Sequence, residues 1–261
     1  MTDPSLGSPE RFGYAWDRFH ALTPEQEQQF ARWTTPVELS SGWRGVRFLD
    51  AGCGMGRNSV WPMRHGATSG VALDLDARSL ARARTNLAPY PQVEVREASI
   101  YDVGFRDEFD VAFSLGVVHH LEHPQRAVEQ LIQAAKPGGR VLIWVYGYEN
   151  LELFVNVLDP ARKALFSRLP LGVVRRLSHA PTAALWLLLR LGYQPMDYLK
   201  LLRGFRYDHL RAIVFDQMLP KTARYYRREE ARALLDSPQL EQVEVHWVNQ
   251  CSWTVTGIKR G

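Results

Sequence analysis

Short apolar runs alternate with amphipathic stretches along the first half of the chain. Apolar runs of strand length lie at residues 46–49, 69–73, 93–96, 109–114 and 141–146, and helical periodicity lies between them at 58–65, 77–87 and 124–135. Strands that alternate with helices of this length are typical of a parallel α/β sheet. The pattern therefore predicts an α/β core.

The segments on either side of this core have a different pattern. Residues 14–34 predict a helix, with Pro24 in the favourable first-turn position of the stretch PEQEQQFARW. Residues 148–220 are mostly helical, apolar and basic, and the alternation then returns with a helix at 227–235 and strands at 242–248 and 253–258. We expect four parts: an N-terminal helical cap (1–44), the core (45–147), a helical insertion over the substrate side (148–220), and the last helix and two strands of the core (221–261).

Composition adds limits to this picture. A chain of 261 residues with 46% hydrophobic content can bury one core of ordinary size. The two cysteines, Cys53 and Cys251, form neither a disulfide framework nor a metal-ligand spacing. Residues 1–13 are polar, and the longest apolar run, at 183–189, is too short to span a bilayer. A cytoplasmic protein is expected, and peripheral contact with a membrane stays open.

A glycine-rich turn follows the first strand. In the segment LDAGCGMGRN, residues 49–58, Gly52, Gly54 and Gly56 lie between a strand and a helix, where glycine lets the backbone approach a ligand and the helix N-terminus faces it. Asp50 precedes the turn. Asp74 ends the next strand, where a carboxylate can accept hydrogen bonds from both hydroxyls of a ribose. The arrangement predicts a nucleoside-containing cofactor.

Four segments together resemble the motifs of class I S-adenosylmethionine-dependent methyltransferases. They are LDAGCGMGRN at 49–58, VALDLD at 71–76, FDVAFSLGVVHHLEHP at 109–124 and KPGGRVLIW at 136–144. The resemblance covers about residues 45–146 and returns at 225–260. It implies a Rossmann-like, seven-stranded sheet with helices on both faces and a helical insertion after strand five, and S-adenosyl-L-methionine as cofactor.

The resemblance also implies roles for individual residues. Gly52 and Gly54 are expected to approach the methionine part of the cofactor, and Asp50 to orient the turn or the cofactor's ammonium group. Asp74 and Leu75 would flank the ribose and adenine. One position departs from the family: Ser99 stands where many relatives have an aspartate that accepts the adenine amino group, and a hydroxyl is the weaker acceptor. The other expected cofactor positions are Gly56, Ile100 and Ser114.

Two neighbouring histidines follow the fourth strand, on the side where this fold opens to substrate. A neutral imidazole can take a proton from a hydroxyl acceptor, so His119 and His120 are the candidate general bases. The alternative is that they pack or cap the following turn. His123 lies close in sequence, but the segment HHLEH lacks a fourth ligand, and no metal is expected.

Further residues are candidates for contact with the acceptor. Relatives often lay an N-terminal segment over the cofactor, and the N-terminal aromatics could do so here. The polar groups that precede the last helix lie where the fold returns toward its sixth strand. Each of these residues could instead pack in the core or satisfy buried backbone. The candidates are Tyr14, Trp16, Tyr146, Asp216, Gln217, Arg224, Tyr225 and Tyr226.

Charge keeps three functions open. Residues 151–228 carry 14 Lys and Arg against 5 Asp and Glu, although the whole chain is only +4. An apolar and basic insertion suits a small, amphiphilic or anionic acceptor, such as a sugar, a lipid-linked intermediate or a natural product, methylated at oxygen or carbon. Nucleic acid is an alternative that the pI of about 9.1 favours, although no nucleic-acid module is present. The third alternative is a membrane-surface or interaction protein that retains the fold.

Overall fold

The structure is a computed structural model that describes residues 9–16, 22–166, 169–220 and 222–261. In the first of these ranges, the side chains of residues 11–14 are described. Within the described chain, strands form one sheet and helices cover both of its faces.

Seven strands form the sheet in the order β3-β2-β1-β4-β5-β7-β6. β1 to β5 run parallel, whereas β7 pairs antiparallel with both β5 and β6. The predicted Rossmann-like sheet is confirmed. Its five parallel strands are extended on one side by the antiparallel strand β7 and then by β6. The strands are β1 (Arg47–Ala51), β2 (Ser69–Asp74), β3 (Val93–Glu97), β4 (Phe109–Leu115), β5 (Ala135–Tyr146), β6 (Leu240–Val248) and β7 (Ser252–Lys259).

Eleven α-helices are present in the described chain. α4 begins cleanly because the Asp76 carboxylate accepts hydrogen bonds from the amides of Arg78 and Ser79, which the helix itself leaves unpaired. The helices are α1 (Pro9–Trp16), α2 (Pro24–Trp33), α3 (Arg57–Arg64), α4 (Ala77–Leu87), α5 (Pro124–Ala134), α6 (Asp159–Phe166), α7 (Leu171–Leu177), α8 (His179–Arg190), α9 (Asp197–Arg203), α10 (Tyr207–Met218) and α11 (Arg228–Ala233).

The core forms two layers, one on each face of the sheet. On one face, α2 and α3 pack aromatic side chains, among them Phe30 and Trp61, against Phe48 and Phe113 of β1 and β4. On the other face, α5 and α11 pack aliphatic side chains such as Leu131 against the same strands. The central strands are therefore buried on both sides, as parallel strands require, and their carboxyl ends meet at one edge.

The segment between β5 and α11 is helical throughout its regular structure. α6 follows a π-helical stretch at Phe154–Leu158, and α7 to α10 continue the segment without a strand in the described residues. Two small apolar clusters hold it together, one around Phe215 and the other around Leu202 and Phe205.

The prediction for residues 14–34 is confirmed in part. α2 begins at Pro24 as predicted, but the stretch is not helical throughout, because Thr23 has an extended backbone (φ −125°, ψ 155°). A residue that precedes proline avoids the helical region, so Pro24 begins a helix and ends any earlier one.

Candidate functional site

The glycine turn after β1 is held in a conformation that side chains disfavour. Gly52, Gly54 and Gly56 have φ values of +83°, +55° and +73°, all in the left-handed region. A Cβ atom on Gly52 would lie 2.5 Å from Cγ2 of Val117. The amides of Gly52 and Cys53 both donate to the carbonyl oxygen of Leu73, at 2.8 and 2.9 Å. The turn is thus fixed between the end of β2 and the segment after β4.

Asp74 fastens the same turn from the end of β2. One carboxylate oxygen accepts the amide of Gly54 at 2.9 Å, and the other accepts the amides of Leu75 and Asp76 at 2.8 and 3.0 Å. Burial raises the pKa of this carboxyl, while the three amides act in the opposite direction. Each carboxylate oxygen has two lone-pair sites, so acceptor capacity is left for a ligand hydroxyl.

Asp50 presents an unused acceptor beside the turn. The hydroxyl of Ser59, on α3, donates to Oδ2 of Asp50 at 2.7 Å, and Oδ1 is buried without a hydrogen-bond partner in the described chain. Burial raises the pKa of Asp50 to about 7. A buried acceptor without a partner is costly, and a ligand cation such as an ammonium group would compensate for that cost.

The other predicted cofactor residues make hydrogen bonds or packing contacts within the protein. Ser99 accepts the amide of Tyr101 at its hydroxyl, 3.2 Å away, and Ile100 is buried next to it. The hydroxyl of Ser114 is fully buried and donates to the carbonyl of Ala51 at 2.7 Å, which ties β4 to the end of β1. A Cβ atom on Gly56 would meet Leu87 and Ala83 of α4, so this glycine lets α3 and α4 approach each other.

The two histidines differ in their surroundings. His119 is completely buried, neither ring nitrogen has a partner in the described residues, and burial lowers its pKa well below the usual value. Nδ1 of His120 lies 2.8 Å from the carbonyl oxygen of Thr222 and therefore carries the hydrogen. Burial lowers the pKa of His120 to about 4. Both imidazoles are neutral near pH 7.

Aromatic and polar groups from distant parts of the chain surround His119. Its ring lies 3.8 Å, between centroids, from that of Tyr146, which in turn lies 5.5 Å from the ring of Tyr225. Nε2 of Gln217 donates to the Tyr146 hydroxyl at 2.7 Å. Asp216, the neighbour of Gln217 on α10, has a buried Oδ1 without a partner among the described residues, and burial raises its pKa to about 7.

The remaining candidates lie elsewhere or contribute differently. The guanidinium of Arg224 donates to the carbonyl of Glu122 at the surface, and the ring of Tyr226 packs in the α5 and α11 layer of the core. Tyr14 on α1 lies 6.2 Å from Phe215, between ring centroids. The side chain of Trp16 is outside the described residues.

Sequence reasoning missed Arg57. It is the first residue of α3, directly after the third glycine of the turn, and its guanidinium interacts electrostatically with Asp216, Tyr198 and Asp50. Burial lowers its pKa, and its carbon Cζ lies 5.9 Å from the centre of the Trp33 ring. The signal was its position in GMGRN, since a cation there faces the edge of the sheet where all the site residues meet.

These groups fit S-adenosylmethionine. A Cβ atom at Gly52 or Gly56 would meet neighbouring side chains, Asp50 offers an unpartnered buried acceptor for an ammonium group, and Asp74 lies at the end of β2 with acceptor capacity. This donor set suits a nucleoside cofactor. Among the residues that the structure describes, no cluster of three His, Cys, Asp or Glu side chains could hold a metal ion.

Comparison with known proteins identifies related methyltransferases. Residues 49–143 match the model of a methyltransferase domain. A candidate methyltransferase of Encephalitozoon cuniculi is 30% identical over 56% of this chain and 67% of its own length. Demethylmenaquinone methyltransferase of Clavibacter sepedonicus is 33% identical (58% and 61%), and a tRNA (carboxymethyluridine(34)-5-O)-methyltransferase of Arabidopsis thaliana is 31% identical (51% and 32%).

A solved structure shares the fold. Magnesium protoporphyrin IX methyltransferase from Synechocystis, solved with S-adenosylhomocysteine bound, has a TM-score of 0.58 at 13% identity, over 97% of this chain and 96% of its own. The chain belongs to the class I S-adenosylmethionine-dependent methyltransferases. It spans between a quarter and about three fifths of the length of the first curated relatives that it matches.

Proposed function

We propose that this chain transfers a methyl group from S-adenosylmethionine to an oxygen or carbon of a small, amphiphilic acceptor. The observation that carries the proposal is the environment of His119: a buried imidazole without hydrogen-bond partners in the described chain, enclosed by aromatic rings and two residues from Val117, which contacts the glycine turn. Rings and a few polar groups beside a cofactor turn suit an acceptor that is mainly apolar.

Different residues would bind the cofactor and the acceptor. Asp50, the glycine turn and Asp74 would hold the ammonium group, methionine chain and ribose of the cofactor. When bound, S-adenosylmethionine supplies a methyl group that is already activated on a sulfonium. The protein's contribution is then to orient the acceptor, exclude water and, for a hydroxyl acceptor, receive a proton.

His119 is the stronger candidate for the base. Because its pKa is depressed by burial, its ring keeps a free lone pair at neutral pH, and no described residue uses either nitrogen. His120 already donates from Nδ1 to the Thr222 carbonyl, which leaves only Nε2 as an acceptor. Tyr146 and Gln217, linked by their hydrogen bond, would orient the acceptor beside His119.

The parts of the chain have corresponding roles in the proposal. The segment 1–44 would cap the cofactor, since Gly13 on α1 lies against Asp76 and Phe12 lies 5.2 Å from His120 between ring centroids. The segment 148–220 would cover the acceptor, because α10 carries Asp216 and Gln217. The segments 45–147 and 221–261 would form the cofactor-binding sheet.

Relatives favour two acceptor classes. The names of two of them specify demethylmenaquinone and a tRNA uridine. A prenylated quinol fits the aromatic surroundings of His119. The second candidate is tRNA, which the excess of basic residues at 151–228 favours.

The test is methyl transfer from cofactor with a radioactive methyl group. The purified chain would be offered a prenylated quinol, a sugar derivative and bulk tRNA, and S-adenosylhomocysteine binding would be measured by calorimetry. We expect micromolar cofactor-product binding and labelling of the quinol. Labelling of tRNA alone would replace the proposal with the second candidate, and absence of S-adenosylhomocysteine binding to folded protein would refute both.

A further inference from the structure

The insertion exposes an unusual amount of apolar surface. Among the described residues, large hydrophobic side chains that are more than a third exposed lie almost entirely between Leu153 and Tyr193; Trp247 is the exception. Eleven such side chains lie in this segment: Leu153, Val157, Leu158, Leu165, Val173, Leu177, Trp186, Leu187, Leu188, Leu191 and Tyr193.

The exposure of apolar side chains is clearest on the helix α8. It packs through Leu185 and Leu189 against α9 and α10. Trp186, Leu187 and Leu188 are nevertheless 36%, 53% and 45% exposed. A helix in water normally exposes polar side chains, so the exposed part of α8 is suited to an apolar contact.

Positive charge accompanies these apolar groups. From residue 160 to residue 196 the sequence contains no Asp or Glu, while it contains Arg and Lys at six positions. Arg176 on α7 and Arg190 at the end of α8 are both exposed, and Cζ of Arg190 lies 5.2 Å from the centre of the Trp186 ring. The surface therefore combines cations with aromatic and aliphatic side chains.

We propose that this surface docks onto a lipid bilayer that carries anionic headgroups. We define the α7–α8 surface by Val173, Arg176, Leu177, Trp186, Leu187, Leu188, Arg190 and Leu191. Apolar side chains accompanied by arginines are typical of helices that lie in a membrane interface, where the apolar side chains enter the headgroup region and the cations meet lipid phosphates.

The exposed aliphatic side chains favour a bilayer over RNA. RNA recognition uses cations with polar groups and aromatic stacking, and it gives no reason to expose aliphatic Leu187, Leu188 and Leu191. In the described residues, no helix is long and apolar enough to cross a membrane. The contact would accordingly be one in which α7 and α8 lie along the bilayer surface.

The test is sedimentation of the full chain with vesicles of phosphatidylcholine alone and of phosphatidylcholine with phosphatidylglycerol. We expect binding to the anionic vesicles that weakens with salt. Arg176→Gln and Arg190→Gln should each lower the partition coefficient about fivefold. The pair Leu187→Ser with Leu188→Ser should lower it about tenfold or more. Arg84→Gln, an exposed arginine on α4, is the matched control and should bind as the wild type does.

Three outcomes would overturn the proposal. They are equal binding to both kinds of vesicle, binding that the α7–α8 substitutions leave unchanged, and retention of bulk tRNA that these substitutions abolish while vesicle binding persists. S-adenosylhomocysteine affinity, measured on every variant, should stay at the wild-type value because the surface lies outside the glycine turn. Failure of vesicle binding with normal cofactor affinity would thus refute the docking surface alone.

Discussion

The imidazole of His119 lies against the phenol ring of Tyr146, with ring centroids 3.8 Å apart, and neither of its nitrogens meets a hydrogen-bond partner in the described chain. Burying an imidazole without partners costs stability, whereas a purely structural position would be filled at lower cost by phenylalanine. If His119 is the base proposed above, its two unpaired nitrogens are the reason that a histidine stands at this position.

We expect His119→Phe to separate chemistry from packing. Phenylalanine retains the contact with Tyr146 and removes the nitrogens, so stability should be unchanged or higher, because replacing an unsatisfied polar group with an apolar one of similar shape is neutral or favourable. Turnover with a hydroxyl acceptor should fall by about 10²–10⁴-fold if His119 is the base. Thermal unfolding, S-adenosylhomocysteine calorimetry and turnover against pH check these expectations. Normal turnover in this variant would leave His119 a packing residue.

Cofactor binding should release a proton from Asp50. Burial raises the pKa of this carboxyl to about 7, and an ammonium group at Oδ1 would favour the ionised form. As the pH increases toward 7, the affinity for S-adenosylhomocysteine should therefore rise by up to about tenfold per pH unit, and above pH 7 it should level off. Calorimetry in buffers of different ionisation enthalpy would measure the proton directly.

The Asp50→Asn variant is the control for the coupling between cofactor binding and proton release. It should bind S-adenosylhomocysteine weakly, with an affinity that does not depend on pH. The raised pKa also affects stability: the contribution of Asp50 is fully present below the pKa of an unfolded aspartate, about 3.9, and is lost as the pH rises through about 7. Unfolding of the wild type should accordingly become easier from pH 5 to pH 8 relative to Asp50→Asn. Parallel pH profiles for the two proteins would contradict the assignment.

We expect Asp74→Asn to weaken cofactor binding by about 10- to 100-fold. The carboxylate accepts three backbone amides, including that of Gly54, and an asparagine amide group would face at least one of these donors with a donor of its own. Loss of one charged hydrogen bond costs about 1.5–3 kcal/mol. Calorimetry with S-adenosylhomocysteine is the measurement, and Glu129→Gln, at an exposed position of α5, is the control. Undiminished affinity would show that Asp74 does not bind the ribose.

Alanine substitutions at Gly52 and Gly104 should destabilise the protein to different extents, because the two glycines have different surroundings. Gly52 and Gly104 both have positive φ, at +83° and +70°, so alanine costs about 1–2 kcal/mol at either position. At Gly52 a Cβ also meets Val117 at 2.5 Å, whereas none lies within 4 Å at Gly104. Gly52→Ala should thus lower unfolding free energy by about 1–3 kcal/mol more than Gly104→Ala.

The Val117→Ala change provides the check on that interpretation. It removes the methyl groups that a Cβ on Gly52 would meet, so the double variant Gly52→Ala with Val117→Ala should recover most of the extra loss. Denaturant unfolding of the four proteins gives the comparison. If Gly52→Ala and Gly104→Ala are equally destabilised, the contact with Val117 does not constrain the turn.

Local patterns were sufficient for most of the fold. The helix at Ala77–Leu87 matches its prediction to the residue, because its amphipathic period and its Asp76 cap are both local signals. The strands β1 and β4 follow from continuous apolar runs. The order and direction of β6 and β7 required the family resemblance, since nothing in a nine-residue strand specifies whether its partner runs parallel or antiparallel.

Most residues of the site could be predicted one by one, but the contacts between distant residues could not. Asp50, the glycines and Asp74 lie within one strand–helix–strand unit. The contact between Gln217 and Tyr146 joins positions 71 residues apart, and the electrostatic coupling of Arg57 with Asp216 joins distant helices. Such contacts depend on how α10 lies over the sheet, which no periodicity encodes.

The position of β7 between β5 and β6 has a consequence for synthesis on the ribosome. β5 can pair with β4 once both have been synthesised, but its other neighbour, Ser252–Lys259, is made only after residues 147–251. At the usual speed of translation this interval lasts about 5–20 seconds. During it, the fully apolar stretch from Val141 to Val145 is an open sheet edge, which invites pairing with other nascent chains. A chaperone that shields this edge would raise the yield of folded protein more than one that acts after release.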